Sequence, residues 1–377
     1  RYDIDLTSQT WQDIPWKHRI MIINPNTTKN PTMVFLVIVG SWNKNDNDEM
    51  MIGTTLASGM GAPVAVLFDV PNQPLFNGLR EDALIAYTFE KVLETENDEW
   101  ALLLPMAKSA VKAMDALQQF FEKELDISVN GFVVTGASKR GWTTWLSAVV
   151  DDRVKGICPM VYDNLSLIEQ MDHQLFTWGN YSDEIDDYTK LNIPQRVKTE
   201  KGQKLASLVD PFTYRERIKV PKLIVVGSND RYWPLDAMNI YFDDLIGEKY
   251  LLRVPNKGHD VNDMQRVLGD GIAFFLKING ELEFPNLSWK DDNTDEGLKL
   301  SINPGISPKS VSVWVAESDT RDFRDAVWTQ VSIDPENIFI LNKKADKYSA
   351  IFGEVVYQFD NKNLFLSTEV RILEPMK

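Results

Sequence analysis

The chain has 377 residues, 44% hydrophobic and 25% charged, a balance that fits a folded protein of two or three domains and excludes a disordered one. Its 55 acidic and 40 basic side chains leave a formal net charge of −15, which argues against nucleic acid as the main ligand, because phosphate binding needs a basic footprint. A single cysteine, Cys158, excludes an intramolecular disulfide and any multi-cysteine zinc site, and no apolar run reaches the roughly 20 residues of a membrane span.

The sequence opens on Arg1 and not on methionine, so an upstream segment is expected to precede it. Short apolar runs at 34–39, 64–70, 131–134, 156–161, 223–226 and 250–254 are rich in Val, Ile and Leu and do not alternate. That is the pattern of strands covered on both faces. Helical patterns lie between them, from Ala83 to Leu93 and from Met106 to Phe121. Alternating strand and helix signals predict an α/β fold with a doubly wound, mostly parallel sheet.

Residues 164–218 break that rhythm with acidic and aromatic side chains, among them Trp178, Tyr181, Asp183, Glu184 and Tyr188. A connection of this length needs helices of its own, and it reads as a cap inserted over a site, a plain structural excursion being the alternative. After Phe284-Pro285 the segments 298–302, 310–315 and 365–372 alternate or nearly alternate between apolar and polar residues. They predict half-buried antiparallel strands in a small β-sandwich-like module. The expected division is an α/β domain over 1–285, with its cap at about 164–218, and a C-terminal module over 286–377.

The clearest chemical signal is Val133-Val134-Thr135-Gly136-Ala137-Ser138-Lys139-Arg140-Gly141-Trp142. An apolar strand runs through a sharp turn into a helix, the setting in which a serine hydroxyl is exposed at a helix N-terminus as a nucleophile. The G-x-S-x-x-G spacing departs from G-x-S-x-G, and alone it also describes a tight strand-to-helix turn. Two later segments add weight. The strand Leu223-Ile224-Val225-Val226 leads to Asp230, and the strand Tyr250-Leu251-Leu252-Arg253-Val254 leads to His259.

Ser138, Asp230 and His259 thus follow the ends of three strands, in the chain order serine, acid, histidine of α/β-hydrolases. A serine hydroxyl needs an imidazole to take its proton, and the imidazole needs a carboxylate to hold its tautomer. The chain has only three histidines, and His18 and His173 lie in a structural and a cap context. Asp163, after the strand at 156–161, is the alternative acid. The oxyanion hole is expected from backbone amides of Lys139 and of Ser41 or Trp42, which end the strand at 34–39.

The runs Gly136-Ala137-Ser138-Lys139-Arg140-Gly141-Trp142, Leu104-Pro105-Met106-Ala107-Lys108-Ser109-Ala110-Val111 and Ser318-Asp319-Thr320-Arg321-Asp322-Phe323-Arg324, with the opening Leu6-Thr7-Ser8-Gln9-Thr10-Trp11, resemble the PhoPQ-activated pathogenicity-related protein family over nearly the whole chain. The resemblance implies an α/β-hydrolase domain followed by a β-rich module, in a periplasmic or secreted protein. It fixes no substrate, although it implies a role against cationic membrane-active peptides. The Ser-x-x-Gly pattern with a basic residue after the serine is also similar to glucuronoyl esterases, whose arginine is replaced here by Lys139.

These features predict a serine hydrolase acting on a small-molecule ester or a peptide, with an ester favoured. Arg140, Trp178 and Tyr181 are the candidate substrate contacts. The contrasting readings are a peptidase for cationic peptides and a catalytically idle binding or signalling protein. No nucleotide fingerprint, Walker A run or H-E-x-x-H is present, and the acidic residues of the insertion lack ordered calcium spacing, so no cofactor and no metal are expected.

Overall fold

The computed structural model describes every residue except 26, 42–45, 296, 334, 335, 360, 361 and 377. A hairpin, β1 (Tyr2–Trp11) and β2 (Ile14–Ile23), opens the chain around Gln12 and Asp13, both at positive φ as a type I′ turn requires. Next come β3 (Met33–Ile38), α1 (Asn47–Met60), β4 (Val64–Leu67), α2 (Glu81–Thr95), α3 (Leu103–Leu125), β5 (Gly131–Ala137), α4 (Lys139–Val150) and β6 (Val154–Met160). The insertion carries α5 (Leu167–Trp178), the single turns α6 (Asp186–Thr189) and α7 (Ile193–Arg196), and α8 (Glu200–Val209). The domain closes with β7 (Lys222–Gly227), β8 (Lys249–Val254) and α9 (Met264–Ile278).

The eight strands form one sheet in the order β1-β2-β4-β3-β5-β6-β7-β8. Pairing is antiparallel from β1 to β4 and parallel from there to β8. The six strands expected from the apolar runs are all present. They lack alternation because both faces are covered. In β3, Val34, Leu36 and Ile38 enter a core shared with α2, α3 and α4, whereas Phe35 enters the core of α1 and α9. Cys158 of β6 is buried among apolar side chains, which pushes its thiol up to about 12, so it is protonated at neutral pH.

The hairpin was not evident from apolar runs, because its signal is alternation. Trp16, Ile20 and Ile22 face one core while Met21 and Ile23 face the other, and a bulge between Thr7 and Gln9 breaks the pattern in β1. Among the described residues no helix is long and apolar enough to cross a membrane.

The C-terminal part holds β9 (Ser288–Asn293), β10 (Gly297–Asn303), β11 (Ser310–Ser318), β12 (Thr329–Ser332), β13 (Ile338–Asn342), β14 (Tyr348–Phe359), β15 (Lys362–Ser367) and β16 (Arg371–Leu373). They make two antiparallel sheets, β13-β10-β9 and β12-β11-β14-β15, with β16 also on β14. Leu298, Leu300 and Ile302 of one sheet share a core with Val313, Ile351, Val355 and Leu366 of the other. The segment 365–372, expected as one strand, is split: at Thr368 the hydroxyl accepts from the Gly353 amide and donates to the Glu369 carbonyl, interrupting the ladder between β15 and β16.

Candidate active site

Ser138 lies between β5 and α4 with φ +58 and ψ −123, a conformation that costs a non-glycine residue energy and marks the turn as over-determined by its surroundings. Two glycines make room for it. A Cβ on Gly136 would lie 2.7 Å from the carbonyl oxygen of Arg140, and one on Gly141 would lie 2.7 Å from that of Met160. The Ser138 amide donates to the Met160 carbonyl at 2.9 Å, fixing the turn to β6. The hydroxyls of Thr143, Thr144 and Ser147 each donate to the carbonyl four residues earlier, which lets a polar helix be buried.

Asp230 and His259 follow β7 and β8, neighbouring parallel strands. Asp230 accepts from His259 Nδ1 at 2.8 and 3.1 Å through its two oxygens, and from the Tyr232 amide at 2.9 Å. A carboxylate only accepts, so the geometry places the histidine proton on Nδ1 and leaves Nε2 as the free base. The Tyr232 ring stacks on the imidazole with centroids 4.1 Å apart. His259 Nε2 is buried and has no hydrogen-bond partner among the described residues, and no bond joins it to Ser138 in this conformation.

Asp163 is elsewhere. It accepts from the Tyr241 hydroxyl at 2.7 Å and has no bond to His259. Burial pushes its carboxyl up to about 6, against the pull of Arg253.

Arg140 corrects the expectation of a substrate contact. Its guanidinium is buried, donating to the Val70 carbonyl at 2.6 Å and, through two nitrogens, to Glu81 at 2.6 and 2.7 Å. It lies against Gly40 so closely that a Cβ there would have no room. Arg140 is therefore a post under the end of β3, the segment from which the second oxyanion donor was expected. Ser41 in that segment accepts from Gln73 at 3.1 Å and from Arg80 at 3.4 Å, while Trp42 lies outside the described residues. Lys139 at the start of α4 turns its ammonium to Asp82 at 2.7 Å, and Asp82 also accepts from the Tyr188 hydroxyl at 3.0 Å.

Glu81 resists ionisation through its burial, yet Arg140, with help from Gln73 and Lys139, holds its carboxyl down at about 2. The folded value lies below the ordinary 4.5, so the stability this contact contributes is complete above pH 4.5 and is lost as pH falls towards 2. The urea midpoint is expected to drop further between pH 6 and pH 3 in the parent than in Glu81→Gln. Equal drops would remove Glu81 from the acid sensitivity.

A cavity opens beside Ser138 and encloses about 600 Å³ of atom-free space, open solvent at its mouth included. Leu167, Met171, Ile185, Tyr188, Ile193 and Val197 of the insertion form one wall. Phe89, Trp142, Tyr162, Tyr232 and Trp233 from the sheet side form the other, with Trp142 stacked on Tyr162 at 4.8 Å. Asp82 and Lys139 are the charged lining groups, and they neutralise each other.

Trp178 and Tyr181 do not line this cavity, a second correction. Leu167 and Met171 look into it from α5, but Trp178 is seven residues, or about 10 Å, further along that face. It meets the Arg324 guanidinium at 4.2 Å and borders a smaller cavity with Asp163 and Arg253. Tyr181 packs against the core. The aromatic wall comes instead from Trp142 and from the Tyr232-Trp233 pair that follows the acid. Their position directly after Ser138 and Asp230 was the available signal.

Among solved structures, the chain is similar to a Mycobacterium tuberculosis puromycin-hydrolyzing peptidase, with 14% identity, a TM-score of 0.50, and 74% of this chain and 39% of that one covered. It is also similar to an acetyl xylan esterase from Paenibacillus sp. R4, at 16% identity and a TM-score of 0.49, over 71% of this chain and 81% of that one. The likeness to the peptidase speaks to fold alone, and the fold is that of the α/β-hydrolases. In sequence, the chain is 34% identical over 424 residues to autocrine proliferation repressor protein A of Dictyostelium discoideum, covering 99% of this chain and 84% of that protein. The profile of the PhoPQ-activated pathogenicity-related proteins matches residues 1–324, through the hydrolase domain and into the loop after β11, and the chain belongs to that family.

Proposed function

We propose that the protein is a serine hydrolase that cleaves carboxylic esters carrying an apolar acyl group. The observation that carries this reading is the Asp230–His259 pair, its outer imidazole nitrogen free, at the same sheet edge as a strained serine turn that opens on an apolar cavity. Ser138 Oγ attacks the ester carbonyl carbon while His259 Nε2 takes its proton. The oxyanion is received by the Lys139 amide at the N-terminus of α4 and by an amide near Ser41. Collapse expels the alcohol, which takes the proton from His259, and water then releases the acid by the same steps in reverse. The hydroxyls of Tyr162 and Tyr188 are pushed well up by burial and stay neutral, so the cavity suits an uncharged group. With this reading goes a periplasmic or secreted location, which rests on the family resemblance.

A second reading is a signalling protein on an idle hydrolase scaffold. It is favoured by the missing Ser138–His259 hydrogen bond and by the name of the Dictyostelium relative, which describes a repressor of proliferation. Catalytic hydrogen bonds are often long without substrate, which keeps the enzyme reading first. The test is fluorophosphonate labelling of the folded parent and of Ser138→Ala, with the adduct located by mass spectrometry. Adduct on Ser138 in the parent alone is the expected result. A folded parent that takes no label at Ser138 and turns over no ester or peptide selects the second reading.

A further inference from the structure

The loop 319–328, between β11 and β12, belongs to the C-terminal module, yet it reaches the two turns that carry Asp230 and His259. Asn229 precedes the acid. Its side-chain amide donates to the carbonyls of Phe323 at 3.3 Å, Arg324 at 3.2 Å and Ala326 at 2.7 Å. Asn256 lies three residues before the histidine, at φ +56. Its side chain donates to the Trp328 carbonyl at 2.9 Å and accepts from the Trp328 amide at 2.8 Å. The two turns are also tied to each other: the Ser228 hydroxyl accepts from the Asn256 amide at 2.8 Å and donates to Asn229 Oδ1 at 2.6 Å. The hydrogen bonds close a ring through Asn229, the loop, Asn256 and Ser228.

The module also docks through contacts outside this ring. Elsewhere the module is held by Arg266 on Glu354 at 3.1 Å, by Asp270 accepting from the Phe365 amide at 2.9 Å, and by Asn239 donating to the Val370 carbonyl at 2.8 Å. The contacts at Asn229 and Asn256 differ from these in where they act: each grips the backbone within three residues of a member of the acid–base pair. An asparagine amide offers donors and an acceptor in one rigid plane, which suits the reading of backbone groups on a loop.

We propose that loop 319–328 is part of the catalytic apparatus, and that Asn229 and Asn256 are positioning residues through which it holds Asp230 against His259. The proposal rests on the serine hydrolase reading for its effect on rate, but its geometric content stands without it. A shift of the order of 1 Å in a catalytic group costs about 100-fold in rate, whereas none of Ser228, Asn229 and Asn256 lines the cavity beside Ser138.

The test uses the full chain with Asn229→Ala, Asn256→Ala and, as a control at a module contact outside the ring, Glu354→Gln. Thermal unfolding of all variants checks folding, and the far-downfield proton resonance of His259 Nδ1–H reads its bond to Asp230. With an ester that the parent hydrolyses, the asparagine variants should lose about 10- to 100-fold in kcat with KM little changed, and the resonance should broaden or vanish. Glu354→Gln should keep both. Asparagine variants that fold, keep kcat within about twofold and retain the resonance overturn the proposal. If the parent neither labels at Ser138 nor turns over substrate, the hydrolase reading fails, and the resonance alone decides whether the loop positions the pair. Should an alanine variant not fold, the matching serine substitution takes its place under the same two outcomes.

Discussion

Asp230→Asn is expected to lower kcat/KM for an ester by on the order of 10⁴-fold, while Asp163→Asn lowers it by less than about tenfold. The asymmetry follows from contacts. Asp230 meets His259 Nδ1 at 2.8 Å, so an amide there would present a donor to a donor, or force the ring into the tautomer whose Nε2 carries the proton and cannot act as base. Asp163 instead accepts from Tyr241, a bond that an asparagine oxygen preserves. Its carboxyl is already pushed up to about 6 by burial, so replacing it with a neutral group is a small electrostatic change near that pH. Steady-state kinetics on the two variants, with fluorophosphonate labelling rates as a second readout, separate the candidates. Comparable losses would mean that the histidine swings to a different acid during turnover.

Arg140→Met should cost about 2–3 kcal/mol of stability and also slow the reaction. Breaking a buried ion pair by removing one partner typically costs 3–5 kcal/mol, and Glu81 retains solvent contact, which reduces the figure. The loss has a specific content: Glu81 is left with Gln73 and Lys139, the Val70 carbonyl loses the Arg140 donor, and the end of β3 at Gly40 loses the group it leans on. Adding Glu81→Gln should recover part of the stability, because the stranded carboxylate goes with it, so a urea double-mutant cycle is expected to be non-additive by about 1 kcal/mol or more. Additive losses would mean that Arg140 stabilises the protein independently of Glu81.

Much of the fold was readable because local pattern and topology agree. Six runs without alternation became six strands covered on both faces, and the glycines at 136 and 141 announced a turn whose crowding the coordinates make explicit. The pairing of Asp230 with His259 was legible from their places just past β7 and β8, adjacent strands whose ends meet at one edge. What could not be read is set by partners far away in sequence. Arg140 carries the same charge whether it faces a substrate or Glu81, 59 residues earlier, and only the meeting of the first turns of α2 and α4 decides. Trp178 was placed with the site because it lies in the insertion, but helix length carries it past the cavity to Arg324. Asn229 and Asn256 carry no distinguishing signal in the sequence, since their partners are backbone groups that any sequence would supply.

The ring through Asn229 and Asn256 also orders events in time. During synthesis the turns at 229 and 256 leave the ribosome ahead of the loop that grips them by some 70–95 residues, roughly 4 to 19 s at about 5–20 residues per second. In that interval the partners of Asn229 and Asn256 in loop 319–328 do not yet exist. On the proposed role of the loop, the Asp230–His259 pair gains its outside hold only once residues 319–328 have been made and have docked.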